Sequence, residues 1–212
     1  ADIPAGAVTE QGFEGEFEGE EVSLRNVLLT LPGGAERTVV VFAPRDSARG
    51  VGAASSAAAT GVLIELAEAL GNRERAKTFV LASTSGGAAG ARALLDGLPE
   101  RGSVEAMIAV TQPGAAESHP PFVITSSTST RSGPVQLART AEEAINDQAQ
   151  EPSPATSPFT QLARLAIPSG LGPQAPLIAE GVDAVAISAA GERQLDESED
   201  GLDQLSGATL DA

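Results

Sequence analysis

The sequence predicts an α/β protein with a largely parallel or mixed sheet that is covered on both faces by helices. Segments of strand character alternate with segments of helix character along the whole chain, which is typical of this class. Several of the strand segments are continuous apolar runs, as expected for strands buried on both faces. The composition does not change abruptly over the 212 residues, a length that suits one domain of generous size.

Each predicted element depends on a local pattern. Turn residues such as Pro32-Gly33-Gly34 bound the strand runs, and helices are assigned where apolar residues recur at a spacing of three or four. The predicted strands are residues 22–31, 37–43, 77–83, 104–110, 122–124 and 182–188. The predicted helices are residues 57–70, 86–98, 135–149, 159–167 and 176–180.

The two ends of the chain are acidic and are predicted to lie outside the domain. Residues 1–21 are interpreted as a solvated lead-in, with Phe13 and Phe17 holding it to the body, and residues 22–190 as the single domain. Residues 191–212 are interpreted as a flexible acidic tail. The alternative for the glutamate-rich stretch 10–21 is a contact surface for a basic partner.

Composition excludes several classes of function. The formal net charge of −16 makes this an acidic protein that repels phosphate backbones, so no nucleic-acid partner is expected. The absence of Cys excludes disulfides, thiolate metal sites and cysteine nucleophiles. No run of 18 apolar residues occurs, so no membrane span is expected within these residues. The single His, His119, is the only histidine available as a base or ligand.

Polar residues at the carboxyl ends of the predicted strands are the candidates for a site, because ligands of open α/β sheets bind at that edge. The polar positions there include Asp46, the segment 83–87, Thr111 and Gln174. A metal ion needs three or more converging ligands of suitable chemistry, and this edge offers one carboxylate and no imidazole. The sequence therefore predicts no metal and no cofactor.

Three catalytic or binding patterns compete with simpler interpretations. Ser85 lies between a strand and a helix like the serine of a nucleophile elbow, with His119 as its only possible base; the alternative is a polar turn. Ser85, Gly87 and Gly90 also match a degraded dinucleotide motif, or else small residues let the helix pack closely on the sheet. Asp46 beside Arg45 is either an acid in a polar pocket, or else a local ion pair or a turn cap.

The order of short motifs along the chain resembles metallopeptidase family 28, the co-catalytic zinc aminopeptidases. The resemblance extends from about residue 22 to residue 188 and implies a three-layer αβα sandwich of the zinc-exopeptidase type. It is carried by Asn26-Val27, Asp46-Ser47, Gly52-Ala53, Thr60-Gly61, Phe79, Gly87, Gly90, Arg92, Gly114 and the segment 175–188.

The resemblance also implies where the catalytic cleft lies and that it is degenerate. The family's metal-ligand and general-base positions fall on residues that cannot serve either role, next to the retained Asp46. These degenerate-cleft positions are Pro44, Asp46, Ala57 (or a neighbour within 55–57), Thr84, Ser85, Thr111 and Gln174. Since two zinc ions and a glutamate carry the family's reaction, the resemblance implies no catalytic residue and no bound zinc.

Two non-catalytic relatives of that family look similar to this chain, namely nicastrin and the luminal domain of the attachment subunit of the GPI transamidase. This likeness implies a pseudo-peptidase ectodomain that is extracytoplasmic, tethered to a membrane outside these residues, and binds a protein partner or a peptide- or glycolipid-type substrate there. Apolar segments before Ala1 or after Ala212 would favour this hypothesis over a free binder. The alternative is a metal-independent hydrolase, or a binder of a small ligand or peptide terminus, that uses the polar remnant of the cleft.

Overall fold

The strands of the domain form one seven-stranded sheet. The computed structural model describes residues 7–17, 20–46, 52–71, 73–115, 121–131, 133–148, 170–190, 195 and 199–201. The strands are Val8–Phe17 (β1), Glu20–Leu31 (β2), Ala35–Pro44 (β3), Lys77–Thr84 (β4), Val104–Thr111 (β5), Phe122–Ile124 (β6) and Ala184–Ser188 (β7). Their order across the sheet is β1-β2-β4-β3-β5-β7-β6.

The helices lie between the strands in the chain, as the alternating pattern predicts. They are Ala58–Gly71 (α1), Ala88–Asp96 (α2), Val135–Gln148 (α3) and Gln174–Ala179 (α4). A π-helical turn, Ala53–Ala57, leads directly into α1, and a 3₁₀ turn, Arg101–Ser103, precedes β5.

The sheet is mixed, which confirms that part of the fold prediction. Its centre is parallel, because β3 pairs with β4 and β5, and β5 pairs with β7, all in parallel. The edges are antiparallel, because β1 pairs with β2, β2 with β4, and β6 with β7. Three of the six strand pairings are therefore parallel, so the sheet is half parallel rather than mostly parallel.

Alternate residues of the central strands enter two different apolar clusters. Val40 and Phe42 belong to a cluster that includes residues of α2 and α4. Val41 and Ala43 belong to a second cluster with residues of α1. Since successive side chains of a strand point to opposite faces, α1 covers one face of β3 and the pair α2 and α4 covers the other. The continuous apolar run in β3 is explained by this burial on both faces.

The N-terminal stretch differs from the expectation of a solvated lead-in. Residues 8–17 form β1, which pairs along its whole length with β2 at the edge of the sheet. Gln11, Phe13 and Gly15 are partly buried, whereas Glu10 and Glu14 are exposed, so one face of the strand is held against the body. Glu and Gly are poor strand formers, and this alternation offsets their low propensity because only one face is exposed.

Other boundaries shift by a few residues. Helix α2 begins at Ala88 rather than residue 86, because Gly86 and Gly87 have positive φ angles of 71° and 52°. Helix α4 begins at Gln174 rather than residue 176, and β7 begins at Ala184 rather than residue 182. The predicted helix 159–167 lies outside the described residues.

One described helical segment, Ala53–Gly71, is long and apolar enough to cross a membrane by length and composition alone. Its residues Ala59, Leu63 and Ala67 are buried against the sheet. Packing in a core produces the same composition, so this segment is weak evidence for a membrane span.

Candidate functional site

A cavity of about 710 Å³ lies at the carboxyl edge of the parallel strands. The ends of β3 and β5, the loop after β4 and the start of α4 contribute to its wall. Five of the seven cleft positions expected from the sequence line this cavity, namely Pro44, Asp46, Ser85, Thr111 and Gln174. The topology brings them together because the carboxyl ends of parallel neighbours meet at one edge of the sheet.

Two expected cleft positions do not line the cavity. Thr84 is fully buried, and its hydroxyl donates to the Ala43 carbonyl at 3.4 Å, which ties β4 to β3. Ala57 is exposed at the end of the π-helical turn, and Ser55 and Ser56 of that turn line the cavity instead. The sequence locates this position only to within residues 55–57, and the helical turn determines which of the three faces the cavity.

Asn26 of β2 organises the loop that follows β4. Its side chain is fully buried, accepts a hydrogen bond from the Ser85 N–H at 3.1 Å and donates to the Gly90 carbonyl at 3.0 Å. The same amide nitrogen donates to the Gln11 side chain at 3.1 Å. One amide therefore fixes the loop, the first turn of α2 and strand β1 relative to one another, and satisfies polar groups that would otherwise be buried without partners.

The Ser85 hydroxyl is fully engaged in the loop. It donates to the Arg25 carbonyl at 2.6 Å and accepts from the Arg45 guanidinium at 2.6 Å. Arg45 also donates to the carbonyls of Ser83, at 2.9 Å, and of Arg25. A nucleophilic serine needs a base that accepts its proton, but here a backbone carbonyl holds that proton. The expected partner His119 lies outside the described residues.

Asp46 is an exposed carboxylate at the mouth of the cavity, and it accepts a hydrogen bond from the Gly86 N–H. This bond spans from the end of β3 to the loop after β4. It favours the interpretation of Asp46 as a turn cap over that of an acid poised for proton transfer, because one of its carboxylate oxygens, Oδ2, already accepts from the backbone.

Asp200 is a site residue that sequence reasoning missed. The sequence places it in a flexible tail, yet its side chain is 1% exposed. Its carboxylate accepts from the Ser55 N–H at 2.8 Å and from the Ser55 hydroxyl at 2.7 Å. Its backbone carbonyl accepts from the Ala53 N–H at 3.1 Å, so this residue closes one wall of the cavity. A lone Asp in an acidic stretch carries no local signal of such burial.

Gln174 supplies a buried acceptor without a partner. Its amide nitrogen donates to the carbonyl and the hydroxyl of Ser126 at 3.3 and 3.2 Å. Its oxygen Oε1 is buried and has no hydrogen-bond partner among the described residues, although the residue lines the cavity. A buried amide oxygen left in this way costs free energy, about 1–3 kcal/mol, unless a ligand or water donates to it.

The donor set of the cavity does not fit zinc. The lining carboxylates are Glu16, Asp46 and Asp200, and two of them are already bonded to backbone or hydroxyl groups of the protein. Within the described ranges no group of three or more His, Cys, Asp or Glu residues converges closely enough to hold a metal ion. Hydroxyl and amide oxygens such as those of Ser85 and Gln174 are weak zinc ligands in comparison with thiolate, imidazole or carboxylate.

The fold is that of the zinc exopeptidases and glutaminyl cyclases, as comparison with solved structures shows. A glutaminyl cyclase from an Acidobacteriales bacterium superposes with a TM-score of 0.71 at 16% identity, over 98% of this chain and 76% of the cyclase. A zinc aminopeptidase from Bacillus subtilis superposes with a TM-score of 0.66 at 18% identity, over 92% of this chain. The chain spans only 48% of that aminopeptidase.

A third structure, a Zn-dependent exopeptidase from Parabacteroides distasonis, superposes with a TM-score of 0.63 at 12% identity over 96% of this chain and 79% of its own. No protein-family model matches the sequence, and no curated protein matches it either. At such identities the likeness establishes the fold and leaves the activity open. It confirms the aminopeptidase-like part of the resemblance noted in the sequence.

Proposed function

We propose that this chain is a non-catalytic pseudo-peptidase, a binding or scaffold module that keeps the three-layer zinc-exopeptidase architecture and uses its cleft to hold a ligand or a partner. The observation that carries the proposal is a cavity of about 710 Å³ in which Pro44, Ser85, Thr111 and Gln174 stand at positions that the resemblance assigns to metal ligands or the base. Without metal ligands and a general base at those positions, the zinc-exopeptidase reaction cannot proceed.

A metal-independent hydrolase is the weaker alternative. Ser85 is its candidate nucleophile, but the hydrogen bonds from this hydroxyl to the Arg25 carbonyl and from Arg45 to its oxygen leave it without a free base among the described residues. An activated serine needs an adjacent acceptor that takes the proton during attack.

We expect no turnover of aminopeptidase, glutaminyl cyclase or esterase substrates by the purified chain above the rate of a Ser85→Ala variant. The reason is that neither a metal hydroxide nor an activated nucleophile is available at the cavity. Steady-state assays with chromogenic substrates measure this. Turnover that disappears in Ser85→Ala would instead establish the hydrolase alternative.

A small-ligand binder is the second candidate, favoured specifically by the unpartnered Gln174 Oε1. Such an acceptor suits a ligand with an N–H or O–H donor, and the apolar lining residues Val110 and Ile124 suit a hydrophobic portion. A thermal-shift screen tests this, since a ligand that binds only the folded state raises its stability by about 2.7 kcal/mol at a hundred times its dissociation constant. We expect Gln174→Met to lose the shift, whereas Glu143→Gln on the exposed side of α3 keeps it.

We further propose an extracytoplasmic, membrane-tethered context and a protein partner or a peptide- or glycolipid-type substrate near the membrane. The support is the likeness of motifs to nicastrin and to the attachment subunit of the GPI transamidase. The test is protease treatment of sealed vesicles that contain the full-length protein and expose the extracytoplasmic face of the membrane. We expect the protease to cleave this domain while the vesicles are intact. Cleavage only after the vesicles are opened would contradict the proposal.

A further inference from the structure

Strand β1 lies at one edge of the sheet, and no further strand lies beyond it in the part of the chain that the structure describes. The Thr30 N–H donates to the Ala7 carbonyl at 2.9 Å, and the register continues with Val8 opposite Leu29. Hydrogen-bonded and non-hydrogen-bonded pairs alternate in an antiparallel ladder, so odd-numbered residues of β1 bond to β2. The N–H and C=O groups of the even-numbered residues, Val8 to Glu16, therefore point away from β2, where the described residues add no further strand to the sheet.

The outer half of this edge belongs to a two-stranded arm. Strand β2 pairs with β4 only over its last residues, from Val27 to Leu31. The remainder of β2 pairs with β1 alone, as far as the pair Phe17 and Glu20. The arm thus extends past the end of β4, and its residues Glu16 and Leu24 reach the cavity wall.

The exposed face of the arm carries a concentration of negative charge. Glu16 lies directly opposite Glu21, and Glu14 lies opposite Ser23. Arg25 shares this face, but it is already in an ion pair with Glu10 at 2.9 Å. Like charges directly opposite each other on a sheet are destabilising, and a cation between them relieves the repulsion.

The charges also decide which kind of strand fits the open edge. Proteins usually protect an edge strand with charged side chains, most often lysine, or with proline, a bulge or a covering loop. On β1 the charges are those of Glu10, Glu14 and Glu16, which repel an acidic strand but not a basic one. A second copy of this chain, with its net charge of −16, would place the same carboxylates against one another. A strand with Lys or Arg at alternate positions would face them with the opposite charge.

We propose that β1 is a docking edge for an extended basic segment of a partner protein, which adds to the sheet as an extra strand and places its Lys or Arg side chains on the carboxylates of the arm. Main-chain hydrogen bonds to the even-numbered residues provide affinity, and the charges select the partner. The inference goes beyond the proposed function of the cleft and does not depend on it, because it rests on the main-chain groups and carboxylates of β1 and not on the degenerate-cleft positions.

Amide hydrogen exchange on the full chain, followed by NMR, tests the proposal with a synthetic twelve-residue peptide of alternating Lys and Thr. We expect the peptide to slow exchange at Val8, Glu10, Gly12, Glu14 and Glu16, whereas the odd-numbered amides are slow already. A matched peptide of alternating Glu and Thr should have no effect. Binding that leaves the even-numbered amides unprotected, or no binding at low salt, would overturn the proposal. Slow exchange of these amides in the free chain would show that the chain's own residues cover the edge. Protection by a concentration-dependent dimer would show that a second copy of the chain binds there. Either result would also overturn the proposal.

Reversing the charges on β1 tests whether its carboxylates select a basic partner. We expect Glu14→Lys combined with Glu16→Lys to weaken binding of the Lys peptide at least about tenfold. The charge-matched control, Glu142→Lys with Glu143→Lys on the exposed side of α3, should change it by less than about threefold, because α3 packs against β6 and β7 at the opposite edge of the sheet and its exposed charges are screened. A Lys peptide that is methylated at alternate backbone nitrogens tests strand addition without any change to the protein. Because methylation removes N–H donors, we expect this peptide not to bind. Equal affinity for the methylated and unmethylated peptides would exclude strand addition.

Discussion

Replacing Gly90 with Ala is expected to destabilise the domain by about 3 kcal/mol. A Cβ atom built on Gly90 overlaps the Ser85 carbonyl oxygen and lies 2.9 Å from the Ser85 carbonyl carbon. Both atoms belong to the Ser85 backbone, whose N–H is held at 3.1 Å by the Asn26 side chain, and Asn26 Oδ1 itself lies 3.3 Å from that Cβ position. The loop therefore cannot move away without losing that bond, and α2 must shift from the sheet.

Gly61→Ala is the matched control, because this glycine also lies in a helix, α1, and nothing lies within 4 Å of the position that an alanine Cβ would occupy there. At this position alanine should stabilise by about 0.5–1 kcal/mol through the lower entropy of the unfolded chain. Urea unfolding followed by circular dichroism measures both changes. Equal effects of the two substitutions would show that α2 does not approach the Ser85 loop as closely as described.

Replacing Asn26 with Ala is expected to cost about 3 kcal/mol, because it leaves the buried Ser85 N–H without the Asn26 acceptor and removes the side-chain hydrogen bond to the Gly90 carbonyl. The side chain is 0% exposed, so water cannot replace it without entering the core. The loop that borders the cavity should loosen as well. Faster amide exchange at Ser85, relative to the wild-type chain, reports this local effect separately from global stability.

Gln136→Ala is the control for Asn26→Ala, since Gln136 also carries a side-chain amide but lies on the exposed surface of α3. Its substitution should change the free energy of unfolding by no more than about 0.5 kcal/mol. A similarly small effect at Asn26 would contradict its role as the residue that joins β2 to the loop and α2.

The core of the fold is predictable because strands that are buried on both faces have continuous apolar sequences. The apolar runs that form β3, β4 and β5 are continuous because alternate residues enter cores on opposite faces, as Val40 and Val41 do. Strand β1 is not predicted as part of the domain, because its Glu and Gly residues have low strand propensity. Its one signal is the even spacing of Glu10, Glu14 and Glu16, which leaves Phe13 on the opposite face, toward the body.

The candidate site is predictable where topology alone determines it. Asp46, Ser85 and Thr111 follow strands whose carboxyl ends meet, so their convergence on the cavity follows from strand order. Gln174 is located through the motif resemblance, but its place in α4 rather than a loop does not follow from the sequence. Asp200 escapes prediction because its burial depends on a long-range contact with Ser55, 145 residues away.

The zinc content of the purified chain most directly tests our proposal that the exopeptidase fold persists here without the zinc ligands of metallopeptidase family 28. After incubation with excess zinc and removal of free metal, elemental analysis should find far less than one ion per chain. Melting temperature should also be unchanged by zinc or by a chelator, since a ligand held by the folded state would raise it. One or two tightly held ions per chain, together with chelator-sensitive turnover of any peptide, would contradict the account.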